Sequence, residues 1–274
     1  MNRRHLCAAL QECVMLANTS MSKISRRKFL TLSALAIPAV SGVHARLVEP
    51  KWLRVTELRA SQHGQCRFVH FSDFHYRGDE SYAAEVVTTI NDLKPEFVCF
   101  TGDLVEEKEF APEALDFIRQ IKAPVYGNPG NHDYWSGASF VEYDRVFGAT
   151  GGAWLVDRSI LLPNHDLEIH GMGWTGIHAF QPSRAKRRLL LMHYPAMADT
   201  LGTRFDLILA GHSHGGQVRL PFYGPIIMPT GVGRYDLGLF ETPNGPLYVN
   251  AGIGTLSSIP VRWNCQPEIT VVTI

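Results

Sequence analysis

Short apolar runs recur along the first half of the chain, and each of them ends in a cluster of glycine, proline or polar residues. The runs are rich in branched and aromatic residues, which is typical of buried strands. They predict strands at residues 52–58, 66–71, 96–100 and 123–126. Apolar residues three and four positions apart predict helices at 81–93, from Pro112 onward and at 140–147. This alternation of strand and helix predicts a parallel α/β core.

The second half has shorter apolar runs with little helix between them. They predict strands at residues 153–156, 159–162, 167–170, 188–192, 207–209, 216–220, 237–240, 247–250 and 269–274. Two β-rich halves flanked by helices predict one domain built from two packed sheets. No internal repeat, low-complexity tract or linker interrupts the sequence.

Side chains with metal-binding chemistry follow five of the predicted strands. In chain order they are Asp73 and His75, Asp103, Asn131 with His132 and Asp133, His193, and His212 with His214. Ligand sites in α/β sheets lie beyond the carboxyl ends of strands, so we expect these residues to converge. Carboxylate and amide oxygens combined with imidazoles suit divalent Mn, Fe, Zn or Mg-like ions. The candidate ligands outnumber those that one ion accepts, and Asp103 is placed to bridge two ions.

Each motif taken alone also has a structural interpretation. The segment from Asp73 to His75 could be a capping turn, and Gly102-Asp103 is a common turn dipeptide. His193 could simply end a strand. Asp133 could orient its own loop, but it is interpreted as an N-cap of the segment that follows it. The glycine-framed segment His212-Ser213-His214 is the strongest single motif.

The composition is that of an ordinary globular protein. Of the 274 residues, 45% are hydrophobic and 19% are charged, which is too apolar for a disordered chain. Lysine plus arginine and aspartate plus glutamate each number 26, so the formal net charge is zero. Because no net field favours a polyanion, we do not expect binding to long nucleic acid.

The N-terminal segment has the pattern of an export signal. The basic stretch Ser25-Arg26-Arg27-Lys28-Phe29-Leu30 precedes an apolar run that ends at Val43. Paired arginines, a moderately apolar stretch and small residues before a junction are typical of a leader of the twin-arginine type. We therefore predict a leader over residues 1–45, cleavage after Ala45, a domain over residues 46–274, and passage through the twin-arginine export machinery to the periplasm or cell envelope.

Two alternatives for this segment stay open. The apolar run is shorter than the roughly 20 residues that span a bilayer comfortably, yet a retained leader would associate the protein with the membrane. The segment could also be a basic stretch ahead of a buried helix. Met21 lies where the start codon of such a leader is expected, so residues 1–20 are interpreted as an extension.

Three cysteines, Cys66, Cys99 and Cys265, lie in the predicted domain. They do not have the close spacing of a zinc site. Cys99 lies in an apolar run and is predicted to be a small buried hydrophobe. A disulfide between Cys66 and Cys265 is conceivable outside the cytoplasm.

Taken in order, the polar motifs resemble the full motif set of the calcineurin-like metallophosphoesterases. The set is Asp73-x-His75, Gly102-Asp103, Gly130-Asn131-His132-Asp133, His193 and Gly211-His212-x-His214, and it spans residues 68–216. The form Gly-His-x-His-Gly-Gly-Gln and the ending Arg262-Trp263-Asn264-Cys265-Gln266-Pro267-Glu268-Ile269 are similar to an exported bacterial phosphodiesterase branch of that superfamily.

The resemblance implies a four-layer αββα sandwich with two mixed β-sheets and a dinuclear metal site at the carboxyl ends of strands. The implied ligands are Asp73, His75 and His214 for the first ion, Asn131, His193 and His212 for the second, and Asp103 as the bridge. His132 is implied to be the catalytic group, which faces the substrate phosphate and is not a ligand. The native metal pair is left open.

The function that the resemblance implies is hydrolysis of a small phosphodiester by a hydroxide that two metal ions activate. One alternative is a pyrophosphate hydrolase acting on a nucleotide-activated lipid such as UDP-2,3-diacylglucosamine. A second alternative, of a different class, is a non-catalytic metal-loaded module that binds envelope polymer. The retained His132 and bridging Asp103 speak against this second alternative.

Two segments bear on the choice of substrate. Between residues 167 and 180, similar proteins often carry aspartate, whereas this chain has His170-Gly171-Met172-Gly173-Trp174. The apolar stretch at residues 221–229 has two interpretations. It could form a rim for acyl chains, or it could be a buried connection between sheets.

Overall fold

The computed structural model describes residues 25–61, 66–174 and 180–274. The described chain divides after Val43 into two compact units. The first unit contributes helix α1, Arg26–Val43. The prediction that residues 1–20 are an extension lies outside the described residues.

The first sheet of the second unit contains six strands and is mixed. Its strands are β1 (Arg54–Arg59), β2 (Arg67–Phe71), β3 (Val98–Phe100), β4 (Val125–Gly127), β5 (Ala153–Trp154) and β14 (Glu268–Thr273). They lie in the order β1-β14-β2-β3-β4-β5. Strands β2 to β5 are parallel to one another, whereas β14 is antiparallel to β2 and parallel to β1.

Helices connect the parallel strands of this sheet. They are α2 (Glu80–Asp92), α3 (Ala111–Arg119), α4 (Asn131–Trp135) and α5 (Phe140–Ala149). Helix α2 begins after Asp79, whose side chain accepts a hydrogen bond from the Tyr82 N–H, and its apolar face is buried. Helix α3 carries Pro112 in its first turn, where the missing N–H costs no helical hydrogen bond.

The second sheet also contains six strands. They are β6 (Arg158–Leu162), β7 (Leu167–Gly171), β8 (Arg187–Leu191), β9 (Leu207–Ala210), β12 (Gly238–Thr242) and β13 (Gly245–Val249). Their order is β12-β13-β9-β8-β7-β6, with a parallel centre and an antiparallel strand at each edge. A separate hairpin pairs β10 (Arg219–Leu220) with β11 (Gly224–Pro225).

Short helical turns complete the secondary structure of the described residues. They are a π-helical turn at His44–Val48 and 3₁₀ turns at Glu49–Lys51, Lys108–Phe110, Pro163–His165, Pro195–Asp199 and His214–Gly216.

The central strands bury side chains on both faces. In β8, Leu189 and Leu191 pack with Phe68 and Phe97 between the two sheets, whereas Leu190 belongs to the cluster on the other side. This follows from the alternation of side chains along a strand. Helices α2, α3 and α5 cover the outer face of the first sheet with a separate apolar cluster. Strands buried on both faces explain the nearly continuous apolar runs in the sequence.

The predicted α/β sandwich with two mixed sheets is confirmed, with helices packed on the outer face of the first sheet. Among the described residues, the outer face of the second sheet packs against the 3₁₀ turn Pro195–Asp199 and loop residues such as Tyr235. The helices predicted at 81–93 and 140–147 are confirmed at Glu80–Asp92 and Phe140–Ala149.

Two sequence-based expectations differ from the structure. The strand predicted at 216–220 is wrong in its first half, because Gly216 and Gln217 adopt positive φ angles and only Arg219–Leu220 form a strand. The conceivable disulfide does not form: Cys66 and Cys265 are buried free thiols. Cys99 is also buried, as predicted.

Candidate metal centre

The predicted site residues come together at one edge of the sandwich, contributed by both sheets. From the first sheet, Asp73 and His75 follow β2, Asp103 follows β3, and Asn131 and His132 follow β4. From the second sheet, His193 follows β8, and His212 and His214 follow β9. All of the predicted ligands are buried. The parallel strands of the two sheets therefore deliver distant parts of the sequence to one place, as expected for an α/β fold.

Five of the predicted ligands have a left-handed backbone conformation. Their φ angles lie between 45° and 68°, at Asp73, His75, Asp103, His212 and His214. This conformation is uncommon for residues other than glycine and concentrates at functional sites. The strand ends are therefore held in turns that aim these side chains inward.

The first cluster consists of Asp73, His75 and His214. His214 Nε2 lies 3.3 Å from Asp73 Oδ1, and His75 Nε2 lies 3.9 Å from the same oxygen. One ligand atom from each residue lies within 4.8 Å of the others, which is close enough for one cation to contact all three. These are the three side chains that the family resemblance implies for a first ion.

The second cluster consists of Asp103, His193 and His212. His193 Nε2 lies 3.1 Å from Asp103 Oδ2 and 3.2 Å from His212 Nδ1. Asp103 Oδ2 also lies 3.5 Å from His75 Nε2 in the first cluster. Asp103 is therefore the residue at which the two clusters meet.

Buried polar atoms without hydrogen-bond partners support a cation here. Asn131 Oδ1 and His75 Nε2 are buried, and neither atom has a hydrogen-bond partner. Such atoms are rare in proteins unless another ligand satisfies them. Carboxylate, amide and imidazole donors match the preferences of divalent ions of the Mn, Fe, Zn or Mg-like kind. The residues present thus fit two divalent ions.

Hydrogen bonds behind the histidines orient their rings. His193 Nδ1 donates to the Thr101 carbonyl over 2.7 Å, and His212 Nε2 donates to the Thr230 carbonyl over 2.7 Å. When both rings are neutral, these bonds leave His193 Nε2 and His212 Nδ1 as the unprotonated nitrogens, and these two atoms face each other. Metal-binding histidines characteristically donate their other N–H in this way.

Glu106 stands behind His75 and was not predicted from the sequence. Its Oε1 lies 3.1 Å from His75 Nδ1, and its carboxylate also contacts the backbone N–H of Ser257 over 2.8 Å. Carboxylates in this position raise the basicity of a ligating imidazole. The only feature of the sequence that points to Glu106 is its position three residues after Asp103, in the same loop.

The electrostatics of the cluster favour ionised carboxylates. Burial alone would raise the pKa of Asp73, but the neighbouring histidines outweigh it and hold that pKa well below the usual range. Burial likewise opposes the charge on His193, yet Asp103 raises the pKa of His193 to about 9. Burial lowers the pKa of His214 to about 3, with opposition from Asp73. The centre is thus a pocket of negative carboxylate charge lined with imidazoles.

Asp133 fixes the loops around the bridge, which corrects its interpretation as an N-cap. It lies in the first turn of α4, and its carboxylate accepts hydrogen bonds from the backbone N–H groups of Gly130, Asp103 and Leu104 at 2.8, 2.8 and 3.0 Å. The Tyr143 hydroxyl donates a fourth bond over 3.2 Å. Burial and the nearby Asp103 raise the pKa of Asp133 to about 6.

Glycine in these motifs allows the loops to approach closely. A Cβ placed on Gly130 would lie 2.2 Å from Asp103 Oδ1, and one on Gly211 would lie 2.4 Å from Asp73 Oδ2. Any side chain at either position would displace a predicted ligand. The Gly-Asn-His-Asp and Gly-His-x-His motifs therefore need their glycine for space.

His132 lies at the wall of the site. Its backbone N–H donates to Asp103 Oδ1 over 2.7 Å, and its ring centroid lies 4.9 Å from that of His75. A nitrogen of His132 also comes within 4.8 Å of ligand atoms of His75 and Glu106. Burial lowers the pKa of His132, and Asp103 opposes this shift. At neutral pH the imidazole is accordingly uncharged.

A cleft of about 620 Å³ opens over the centre. Asp103, Asn131, His132, His212 and His214 contribute to its lining, and its walls include the rings of Trp135, Trp174 and Tyr194. The two tryptophan ring centroids lie 5.5 Å apart. Neither the tryptophans nor Tyr194 were predicted as site residues, although Trp174 belongs to the segment that the sequence linked to substrate choice.

Comparison with known proteins identifies a family and several relatives with the same kind of chemistry. Residues 66–216 match the family model for calcineurin-like phosphoesterases. An uncharacterized metallophosphoesterase of Bacillus subtilis, YkuE, is 34% identical, with 93% of this chain and 99% of YkuE aligned. The phosphodiesterase YaeI of Escherichia coli is 28% identical over 92% of this chain and 99% of its own.

A third relative has a defined substrate in its name. The UDP-2,3-diacylglucosamine pyrophosphatase LpxG of Chlamydia trachomatis is 27% identical, with 87% of this chain and 94% of LpxG aligned. The family match covers every residue of the predicted metal clusters, and the relatives extend the likeness over most of the chain. The chain is therefore a phosphoester hydrolase that belongs to the calcineurin-like phosphoesterase family.

Proposed function

We propose that this protein is a metal-dependent phosphodiesterase. The observation that carries the proposal is the meeting of the two ligand clusters at Asp103, beneath a cleft with aromatic walls. Asp73, His75 and His214 would hold one ion, and Asn131, His193 and His212 the other. Divalent ions bound there supply positive charge for the phosphoryl oxygens and make hydroxide available at neutral pH.

The protein's own groups position the substrate and stabilise charge. His132 lies on the cleft wall, and because its pKa is lowered, it acts as a neutral N–H donor toward a phosphoryl or leaving-group oxygen. Such a donor acts where charge develops in the transition state. The cleft of about 620 Å³ has room for a second ester substituent beyond the phosphate, which supports a diester over a small monoester.

The test compares bis-p-nitrophenyl phosphate with p-nitrophenyl phosphate, using protein reconstituted with Mn or Zn. We expect faster hydrolysis of the diester, and a loss of about 10²- to 10⁴-fold in kcat for His132→Ala with unchanged metal content. Absence of turnover of both substrates by the metal-loaded protein would contradict the proposal. Equal rates for the two substrates would remove only the diester preference. Metal uptake without turnover would favour a non-catalytic module.

A second candidate is hydrolysis of the pyrophosphate of a nucleotide-activated lipid, as the name of LpxG describes for that relative. The observation that favours it is the exposure of the apolar stretch at 221–229. The alternative of a buried connection is wrong, because Phe222, Tyr223 and Ile227 are exposed by 111%, 76% and 66%. Incubation with UDP-2,3-diacylglucosamine should release UMP, and no release at high enzyme concentration excludes this candidate.

We also propose that α1 is the apolar part of an export signal that passes through the twin-arginine machinery to the cell envelope. The helical stretch Arg26–Lys51 contains an 18-residue window with a mean hydropathy of 1.3, so it is long and apolar enough to cross a membrane. A signal sequence and the core helix of a soluble protein both meet that criterion. The paired arginines at its start support the signal.

A further inference from the structure

The hairpin β10–β11 presents aromatic side chains at its tip. Tyr223 N–H donates to the Leu220 carbonyl over 3.2 Å and closes the turn, and Phe222 lies at its apex with φ of 65°. Phe222 is fully exposed, and Tyr223 is exposed by 76%. A left-handed conformation is unfavourable for a bulky residue, and nothing in the described residues packs on this ring. The described residues therefore give no structural explanation for the exposed tip.

An apolar cleft of about 260 Å³ lies at the base of this hairpin. Its apolar lining consists of Val218, Ile226, Ile227, Pro229, Leu256 and Ile259. Ile226 and Ile227 are also exposed, by 51% and 66%, so the apolar surface continues from the cleft to the outside. A concave apolar site of this kind binds apolar groups.

The apolar cleft adjoins the cleft over the metal centre. His214, Pro229 and Leu256 line both. The hairpin also packs directly on the metal-binding loop, since a Cβ on Gly216 would lie 2.3 Å from Pro225 Cβ. A chain carried by a phosphodiester at the metal centre therefore has an apolar cleft beside it.

Gln217 holds the two walls of the apolar cleft together. Its buried side chain donates to the carbonyls of Ile259 and Val261 and accepts from the Leu256 N–H over 3.0 Å. Because these bonds join the loop after His214 to residues 256–261, the cleft is a built part of the site. The Gln of the Gly-Gly-Gln sequence after His214 thus connects the metal-binding loop to the wall of the apolar cleft.

The charge of the hairpin indicates which surface it suits. Residues 219–229 contain a single charged side chain, Arg219, and it is paired with Asp236 over 2.9 Å. An anionic polymer would need unpaired cations, which this segment does not present. Exposed aromatic and aliphatic side chains instead match the apolar region just below lipid head groups.

We propose that the substrate is a phosphodiester carried on a lipid chain, that this chain occupies the apolar cleft, and that the tip of the hairpin enters the lipid surface from which the substrate comes. The inference rests on the proposed function and names its substrate class. The phosphate then lies at the metal centre, the chain lies along Ile226 and Ile227, and Phe222 and Tyr223 lie in the lipid.

The first experiment measures chain-length dependence with methyl, butyl and octyl p-nitrophenyl phosphate on the metal-loaded full chain. Each buried methylene adds up to about fourfold to binding, so kcat/KM should rise at least about thirtyfold from the methyl to the octyl ester. Ile227→Asn should reduce the octyl-to-methyl ratio at least about tenfold. Val141→Asn, at an exposed position on α5 that lines neither cleft, should leave the ratio unchanged.

The second experiment isolates the lipid surface. Hexadecyl p-nitrophenyl phosphate embedded in phosphatidylcholine vesicles should be hydrolysed several-fold more slowly by Phe222→Ser/Tyr223→Ser, with little dependence on salt, while the soluble octyl ester should be hydrolysed at the wild-type rate. Equal hydrolysis of the vesicle-borne ester by wild type and variant would overturn the role of the hairpin.

The outcomes separate this inference from the proposed function. A flat chain-length series with good turnover of the methyl ester overturns the lipid chain and leaves the phosphodiesterase standing. Absence of turnover of every ester contradicts the phosphodiesterase. In that case calorimetric titration with octylphosphocholine still tests the apolar cleft. We expect Ile227→Asn to bind this ligand more weakly than Val141→Asn does. Equal binding by the two variants would overturn the assignment of the cleft.

Discussion

Asn131, His132 and Asp133 are consecutive in the sequence, but the fold gives them three different surroundings. They occupy the first turn of α4, where successive side chains point about 100° apart around the helix axis. Asn131 Oδ1 is buried without a partner, His132 lines the cleft, and Asp133 accepts four hydrogen bonds. One turn thus supplies a candidate ligand, a group facing the substrate and the anchor of the bridging loop.

Asp133→Asn should lower the free energy of unfolding by roughly 2–4 kcal/mol. An amide has one acceptor oxygen, so its NH₂ group must face donors that the carboxylate oxygen accepted, and buried donors without acceptors are costly. Urea unfolding of the two proteins measures the difference. Asp116→Asn, at an exposed position on α3, serves as the control, with an expected change within about 0.5 kcal/mol. Equal midpoints for Asp133→Asn and wild type would refute the anchoring role.

Gly130→Ala should weaken metal binding about tenfold or more, because the added methyl group meets Asp103 Oδ1. Gly130 has φ of −97°, which any residue can adopt. A loss of affinity in Gly130→Ala would therefore come from the contact with Asp103 Oδ1 and not from backbone strain. Calorimetric titration with Mn measures the affinity. Gly148→Ala is the matched control, since a Cβ there meets nothing within 4 Å. Unchanged affinity in Gly130→Ala would show that the bridge does not depend on this contact.

At the scale of elements, the site depends on where short strands stop. Strands β3 and β4 contain three residues each, and the chain leaves both of them at the edge where β8 and β9 also end. The sequence predicts these strands well, because apolar runs and glycine clusters define their ends locally. It did not predict the 3₁₀ turn His214–Gly216, because its glycines pack against distant residues, Gly215 against Cys265 and Gly216 against Pro225 of the hairpin.

Helix α1 leads to the prediction about export. Replacing Arg26 and Arg27 together by lysine should abolish recovery of the protein in the envelope fraction, because the paired arginines define this class of signal. Immunoblots of cell fractions measure the effect, and N-terminal sequencing of the exported protein should begin near Arg46. Cleavage there requires the turn His44–Val48 to open, since the Ala45 carbonyl accepts a bond from the Arg262 N–H. Unaltered recovery of the lysine variant would disprove this route.

At the scale of the whole molecule, the C-terminal segment ties the site to the sheets. Strand β14 lies between β1 and β2, and Arg262, just before it, is fully buried. Its guanidinium donates to the carbonyls of Ala251, Gly252, Gly254 and Cys265. The loop that contains Ala251, Gly252 and Gly254 lies behind the first cluster. Its Gly254 N–H donates to the Asp73 carbonyl over 2.7 Å.

Arg262→Met should destabilise the protein by roughly 3 kcal/mol or more, because it leaves several buried carbonyls without a donor. Thermal unfolding of the full chain measures the loss, and metal affinity should fall with it as the Asp73 loop loosens. Arg204→Met, at an exposed position, is the control and should have little effect. A wild-type midpoint for Arg262→Met would contradict the role assigned to this side chain.

The convergence of the metal-binding residues could be predicted from the sequence. Parallel strands have their carboxyl ends at the same edge of a sheet, whatever their order in that sheet. The sequence could not predict Glu106 behind His75, the four bonds of Asp133 or the buried Arg262, since these depend on pairings between distant segments. The apolar sequence at residues 221–229 likewise does not show whether the segment is buried or exposed. Only the fold shows that Phe222 faces outward.

The most direct test of the central claim is metal analysis of native protein combined with diester turnover before and after chelation. We predict about two divalent ions per chain, loss of bis-p-nitrophenyl phosphate hydrolysis on chelation, recovery with Mn or Zn, and fewer ions in Asp103→Asn. Full turnover after removal of all divalent metal, or two bound ions per chain with no turnover of any phosphoester, would contradict the account.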